Sequence, residues 1–207
     1  MMMQLHVSHL NMSLVDQNLS AIEKIPAMQR RRLSRLAKLA LNSAMQTLEL
    51  THVDYIVWVS QYGDEAKTLK ILEDVLSDQT PSPTQFSTSV HNAISGLYSI
   101  LCQDATPATS LAGSWSDGLI EAYAWLKTMP RTRQVLLVYY DEALSDVYME
   151  HQPFSAFAMS AIISLAPANL ILKSSHVAED LAYQQALAFN AFWNNHNQTE
   201  SKAWAKC

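Results

Sequence analysis

Apolar positions along this chain alternate between two spacings, and the alternation outlines the elements. Leu5, Val7 and Leu10 sit among His6, Ser8 and His9 in a short alternating segment that predicts an edge or first strand. Residues 11–26 are polar and irregular and end at Pro26, which suits the first turn of a helix. Leu33, Leu36, Ala37, Ala40, Ala44 and Leu48 then recur at three- and four-residue steps on one face, with Arg31, Arg35 and Lys38 on another. The run VDYIVWVS (53–60) is β-branched and aromatic and predicts a strand covered on both faces. Residues 64–76 form a second amphipathic pattern, with Ala66, Leu69, Leu72 and Leu76 expected inward. Pro81 and Pro83 mark a loop over 78–88, and a helix follows from about Ser89, aligning Val90, Ala93, Ile94, Leu97 and Leu101. The short segment 108–112 leads to Gly113 and to Ser114, a good helix cap with Asp117 three residues on. The helix after it, 114–127, is apolar nearly all round and is expected to be buried on most sides. QVLLVYY (134–140) and 156–165 predict two further covered strands, and 169–173 is a candidate for another. A helix over 179–194, with Leu181, Ala182, Leu187, Ala188, Ala191 and Phe192, is the last element expected. Strands alternating with helices predict an α/β fold with a mixed sheet.

Composition narrows the function classes. The 207 residues are 49% hydrophobic and 16% charged, which suits one folded domain over 1–207 and excludes global disorder. The balance 14 − 19 = −5 argues against nonspecific nucleic-acid binding. No apolar run is long enough to span a bilayer, and His6, His9, Asn11 and Asp16 interrupt the stretch that a signal peptide would need. A soluble, reduced, cytoplasmic protein is expected. Cys102 and Cys207 are too few for a disulfide scaffold or a cysteine zinc site. His6 and His9 fall on opposite strand faces with no third ligand at metal spacing. With four glycines and no Gly-rich phosphate loop, no cofactor is expected.

Three stretches carry a resemblance. PAMQRRRLSRLAKLALNSAMQTL (26–48) looks like the Arg-rich helix that precedes an alanine-rich helix in β-ketoacyl synthases. SPTQFSTSVHNAISGLYSI (82–100) is similar to that family's Ser-Pro, aromatic, Asn-x-x-x-Gly pattern. SLAGSWSDGLIEAYAWLK with QVLLVYYDEA (110–143) stands where a ketosynthase has its strand, nucleophile turn, buried helix and next strand. The order and spacing of the three resemble the N-terminal half of a thiolase-like fold, an α/β mixed sheet with helices on both faces. The nearest type is the short, chain-length-factor-like subunit that accompanies aryl polyene clusters.

The departures give the resemblance its meaning. Ketosynthases hold a nucleophilic cysteine at the turn that Ala112, Gly113 and Ser114 occupy here, and a Claisen condensation needs that thiolate. The family's catalytic histidines come from a C-terminal half that this length leaves out. The resemblance therefore implies no catalytic residues, a full-length β-ketoacyl synthase as heterodimer partner, and acyl carrier protein as an indirect partner. A role in shaping the partner's acyl pocket follows. Phe86, His91, Asn92 and Gly96 are the candidate pocket or interface residues, against a plainer reading in which Gly96 permits close helix contact. Arg30, Arg31, Arg32, Arg35 and Lys38 are the candidate docking patch for carrier protein or partner, against a solvated helix face with one arginine in an ion pair. With half its apolar cover missing, helix 114–127 needs either the 179–194 helix or a partner chain over it. Two alternatives stand beside this. One is a serine-dependent acyl-thioester hydrolase using Ser114 or Ser116, although Gly118 supplies only half of a G-x-S-x-G elbow. The other is a stand-alone carrier-protein binding module.

Overall fold

In the computed structural model, which describes residues 2–49, 51–173 and 181–207, seven strands form one sheet. They are β1 (Met2–Leu14), β2 (Tyr55–Ser60), β3 (Ala108–Ala112), β4 (Val135–Asp141), β5 (Phe157–Ser164), β6 (Leu170–Lys173) and β7 (Trp204–Lys206), in the order β3-β2-β4-β5-β1-β6-β7. β2 runs parallel to β3 and β4, and the other pairings are antiparallel. The helices are α1 (Ala27–Arg30), α2 (Arg35–Leu48), α3 (Glu65–Leu76), α4 (Pro83–Ser87), α5 (Ala93–Cys102), α6 (Trp115–Thr128) and α7 (Ala182–Asn194). The mixed α/β sheet expected from the sequence, with helices on both faces, is the one observed. No helix among the described residues is long and apolar enough to cross a membrane.

The strand period of two explains why β2 and β4 are apolar throughout. Ile56, Trp58, Leu136, Val138 and Tyr140 point into the core under α2 and α5. Tyr55, Val57, Val59, Val135, Leu137 and Tyr139 point into the core under α6 and α7.

Several boundaries differ from the sequence reading, each for a local reason. β1 is no edge strand: it lies between β5 and β6 and runs on to Leu14, through residues expected to be irregular. A register shift between Ser8 and Asn11, with His9 at φ 52°, breaks its alternation. The helix expected from Pro26 is split. α1 is a single turn, and Ser34 starts α2 by accepting a hydrogen bond from the Ala37 N–H at 3.0 Å. The 78–88 loop contains α4, opened by a Ser82–Gln85 capping box. α5 begins at Ala93, so Val90 lies outside it and is exposed.

α3 is turned over. Its Leu72, Val75 and Leu76 face solvent, and Asp74 is buried, held by Lys70 at 2.9 Å and the Gln85 amide at 3.2 Å. The start of the 179–194 helix lies outside the described residues. From Ala182 on, that helix buries Gln185, Ala186, Phe189 and Phe192, whereas Leu181 and Leu187 are exposed. The C-terminus forms β7 on β6, and the Cys207 N–H bonds the Asn169 carbonyl at 3.2 Å. Cys102 is half-buried, and burial pushes its thiol up to about 11.

Candidate functional site

The turn from β3 into α6 is held by its own hydrogen bonds. The Gly113 N–H donates to the Ser60 carbonyl at the end of β2, at 3.2 Å. The Ser114 hydroxyl donates to Asp117 Oδ2 at 2.7 Å, and the Ser114 N–H reaches the same oxygen at 2.8 Å. The Asp117 N–H donates back to Ser114 Oγ at 3.3 Å, completing a capping box. A Cβ at Gly113 would stand 2.9 Å from that carboxylate oxygen, so the absence of a side chain there lets Asp117 fold over the turn. Ser114 is thus a helix cap whose hydroxyl is engaged by a carboxylate. Ser116, the other candidate serine, is fully buried. Its backbone N–H donates to Gln185 Oε1 at 3.0 Å, and its hydroxyl finds no partner. Among the described residues, no histidine hydrogen-bonds either serine.

Behind the turn, α6 is packed on both sides. Gly118 presses it onto the sheet: a Cβ there would lie 2.5 Å from Leu137 Cδ1 and 2.8 Å from Val59 Cγ2. On the far side Trp115 meets Phe189 of α7 at 5.3 Å between ring centres, and Phe189 meets Trp204 of β7 at 5.2 Å. Of the two covers expected for this helix, the chain's own C-terminal helix is the one seen.

The pocket candidates separate. His91, Asn92 and Gly96 share a groove of about 620 Å³ between α5 and β3, floored by Trp58 and Tyr98, and Phe86 lies outside it on exposed α4. The plainer reading of Gly96 fails, because nothing lies within 4 Å of a Cβ built there; it faces the open groove. Asn92 makes no side-chain cap bond on α5. His91 Nε2 sits 3.0 Å from the Ser60 carbonyl and packs against Gly63, whose φ of +71° suits glycine.

The basic candidates do not share one helix face. Arg30 closes α1, Arg31 and Arg32 occupy the break, and Arg35 pairs with Glu142 at 2.9 Å. That pair is the ion pair the plainer reading anticipated. Arg32 instead joins Lys67 and Lys70 of α3 around a groove of about 750 Å³ floored by Leu33, Leu97 and Leu101.

Sequence reasoning missed the group that ties these strand ends together. Asp141 ends β4, 2% exposed, and its carboxylate accepts from Tyr139 Oη at 2.7 Å and from Ser60 Oγ at 3.5 Å. Burial pushes its carboxyl up to about 7, against the pull of these bonds and of the Gln61 and Glu142 backbone. The signal was an ionisable residue closing the otherwise apolar run of β4.

Among curated proteins, none matches this chain. Its fold is shared with solved structures, among them two complexes. A ketosynthase (ApeO) in complex with its chain length factor (ApeC) from Xenorhabdus doucetiae aligns at TM-score 0.70 and 23% identity, over 81% of this chain and 81% of that one. AntDE:AntF, a type II polyketide synthase acyl-carrier protein in complex with its ketosynthase bound to the hexaketide, aligns at TM-score 0.59 and 12% identity, over 83% of this chain and 68% of that one. The family model that describes the N-terminal domain of β-ketoacyl synthases matches residues 6–206. A seven-stranded mixed sheet, a turn into a buried helix and a family match over nearly the whole length agree, and the chain belongs to the β-ketoacyl synthase N-terminal domain family.

Proposed function

We propose that this chain is the non-catalytic, chain-length-factor-type member of a heterodimer with a full-length β-ketoacyl synthase. In this reading it shapes the partner's acyl pocket during aryl polyene or fatty-acyl chain elongation. The observation that carries the reading is the capped turn at Gly113-Ser114. Where a ketosynthase presents a thiolate, this chain presents a hydroxyl bonded to Asp117 at 2.7 Å. That carboxylate is tied into the helix cap, no histidine among the described residues reaches the hydroxyl, and an oxygen cannot hold an acyl chain as a thioester. The solved complex of a ketosynthase with its chain length factor supports the pairing by analogy of fold.

The interface in this proposal lies on the β3 side. β3 ends the sheet with an outer edge unpaired among the described residues, and open edges invite another strand or a cover. Beside it lies the groove with His91, Asn92 and Gly96, with Ile100 of α5 74% exposed; Phe86, 66% exposed on α4, is a separate apolar contact in this proposal. Arg30, Arg31 and Arg32 remain available to a carrier protein, joined by Lys38, whereas Arg35 is drawn to Glu142. Co-expression with a full-length β-ketoacyl synthase from the same source tests the pairing: a 1:1 complex on size exclusion is expected, and two separately eluting proteins would overturn it.

A further inference from the structure

A second cavity, of about 250 Å³, opens beside the carboxyl ends of β2 and β4, away from the β3 groove. Gln61 and Tyr62 follow β2, Asp141 ends β4, Leu144, Glu150, Gln152 and Phe154 come from the segment before β5, and Leu181, Ala182 and Tyr183 from the start of α7. Its walls are aromatic: Phe154 and Tyr183 stack at 3.9 Å between centres with planes 4° apart, and Tyr62 stands partly exposed across from Asp141 and Glu150.

Its charge is one-sided. Among the described residues two carboxyl groups line the cavity, and no lysine, arginine or histidine does. Asp141 is held in place by the Tyr139 and Ser60 hydroxyls and by backbone N–H groups, which orient it and oppose, without outweighing, the upward push of burial on its carboxyl. Among the described residues no lysine, arginine or histidine forms an ion pair with it. A buried carboxylate without a counter-ion is costly, and elsewhere proteins pair it or neutralise it. Aromatic faces beside such a carboxylate add a second attraction for a positive charge.

We propose that this cavity binds a small organic ammonium ion, its charged nitrogen against Asp141 and Glu150 and its apolar body between Tyr62, Phe154 and Tyr183. The volume sets the size, since it falls below the roughly 300–1,000 Å³ of sites for drug-sized ligands. The site is separate from the β3 groove and its occupancy does not depend on a ketosynthase partner, so either reading stands if the other fails.

The test compares two probes of matched shape on the full chain, benzylammonium and benzyl alcohol, by isothermal titration calorimetry. Benzylammonium is expected to bind about ten-fold tighter than the alcohol, the margin set by ion pairing and cation–π contact. Asp141→Asn keeps the shape and should remove most of the margin while leaving the alcohol unaffected. Glu150→Gln, on the exposed rim, should reduce it by a smaller factor and serves if the first variant does not fold. Equal binding of the two probes, no binding of either, or a margin unchanged in both variants would overturn the proposal.

Discussion

The two faces of the sheet are finished in different ways. On one, α6 lies between the sheet and α7, and Trp115, Phe189, Phe192 and Trp204 close the gap with their rings. On the other, α2 seals the middle with Leu36, Leu39 and Leu41, but the cover thins towards β3. There α5 turns Ile100 outward at 74% exposure and the groove around Gly96 stays open. The first face is interior that the chain completes for itself. The second carries apolar surface that, in the proposed pairing, meets the partner. Stability and recognition are thus assigned to opposite sides of one sheet, and mutations on the two sides should separate them.

The largest effect is expected at the aromatic seal. Phe189 is fully buried against Trp115, Phe192, Trp193 and Trp204. Phe189→Ala should cost about 3–5 kcal/mol in urea unfolding of the isolated chain. A cost below about 1 kcal/mol would mean that α7 is not the cover of α6.

Next comes a pH effect on the same face. The folded carboxyl of Asp141 lies near 7, above the ordinary 3.8, so the folded state holds a proton that the unfolded chain releases earlier. That contribution to stability is fully present below about pH 4 and is lost as pH rises towards 7. Asp141→Asn should flatten the slope and gain on the wild type most at pH 8. Parallel unfolding curves against pH for the two proteins would remove Asp141 from the account.

Gly118→Ala should follow. Its added methyl must displace Leu137 or Val59, and overpacking of this kind costs about 1–3 kcal/mol. On the other face the effect on stability should nearly vanish. Ile100→Glu should change unfolding by less than about 0.5 kcal/mol, as exposed substitutions do, yet weaken capture of the ketosynthase partner. Equal stability losses on both faces would erase the contrast.

The sequence made the strands plainer than the way the helices face. β2, β4 and β5 were legible because strands covered on both faces read as unbroken apolar runs. β1 was cut short because its bulge at His9 shifts the alternation, and β7 was hidden in a terminal tripeptide held by its pairing with β6 and the packing of Trp204 on α7. For α3 the periodicity located an apolar stripe but carried no information on which side the sheet lay, and Leu72 and Leu76 were assigned to the wrong side. For α7 the stripe itself misled, because Gln185 is buried to receive the Ser116 N–H and Leu187 is displaced outward.

The site was legible at the helix cap, whose role was read from Ser114 and Asp117 alone. It was not legible where residues distant in sequence meet. Ser60, Gly63, His91, Gly113 and Asp141 are linked by contacts and hydrogen bonds that no local spacing announces.

The central claim is that this chain contributes shape and not chemistry to a condensing pair. The direct measurement is condensation of acyl and malonyl carrier-protein substrates by the ketosynthase alone, by the pair, and by the pair whose ketosynthase cysteine is replaced by alanine. The account predicts that adding this chain raises turnover or changes product length, and that the cysteine replacement abolishes turnover altogether. Activity and product length unaffected by this chain, or turnover that survives the loss of that cysteine, would contradict it.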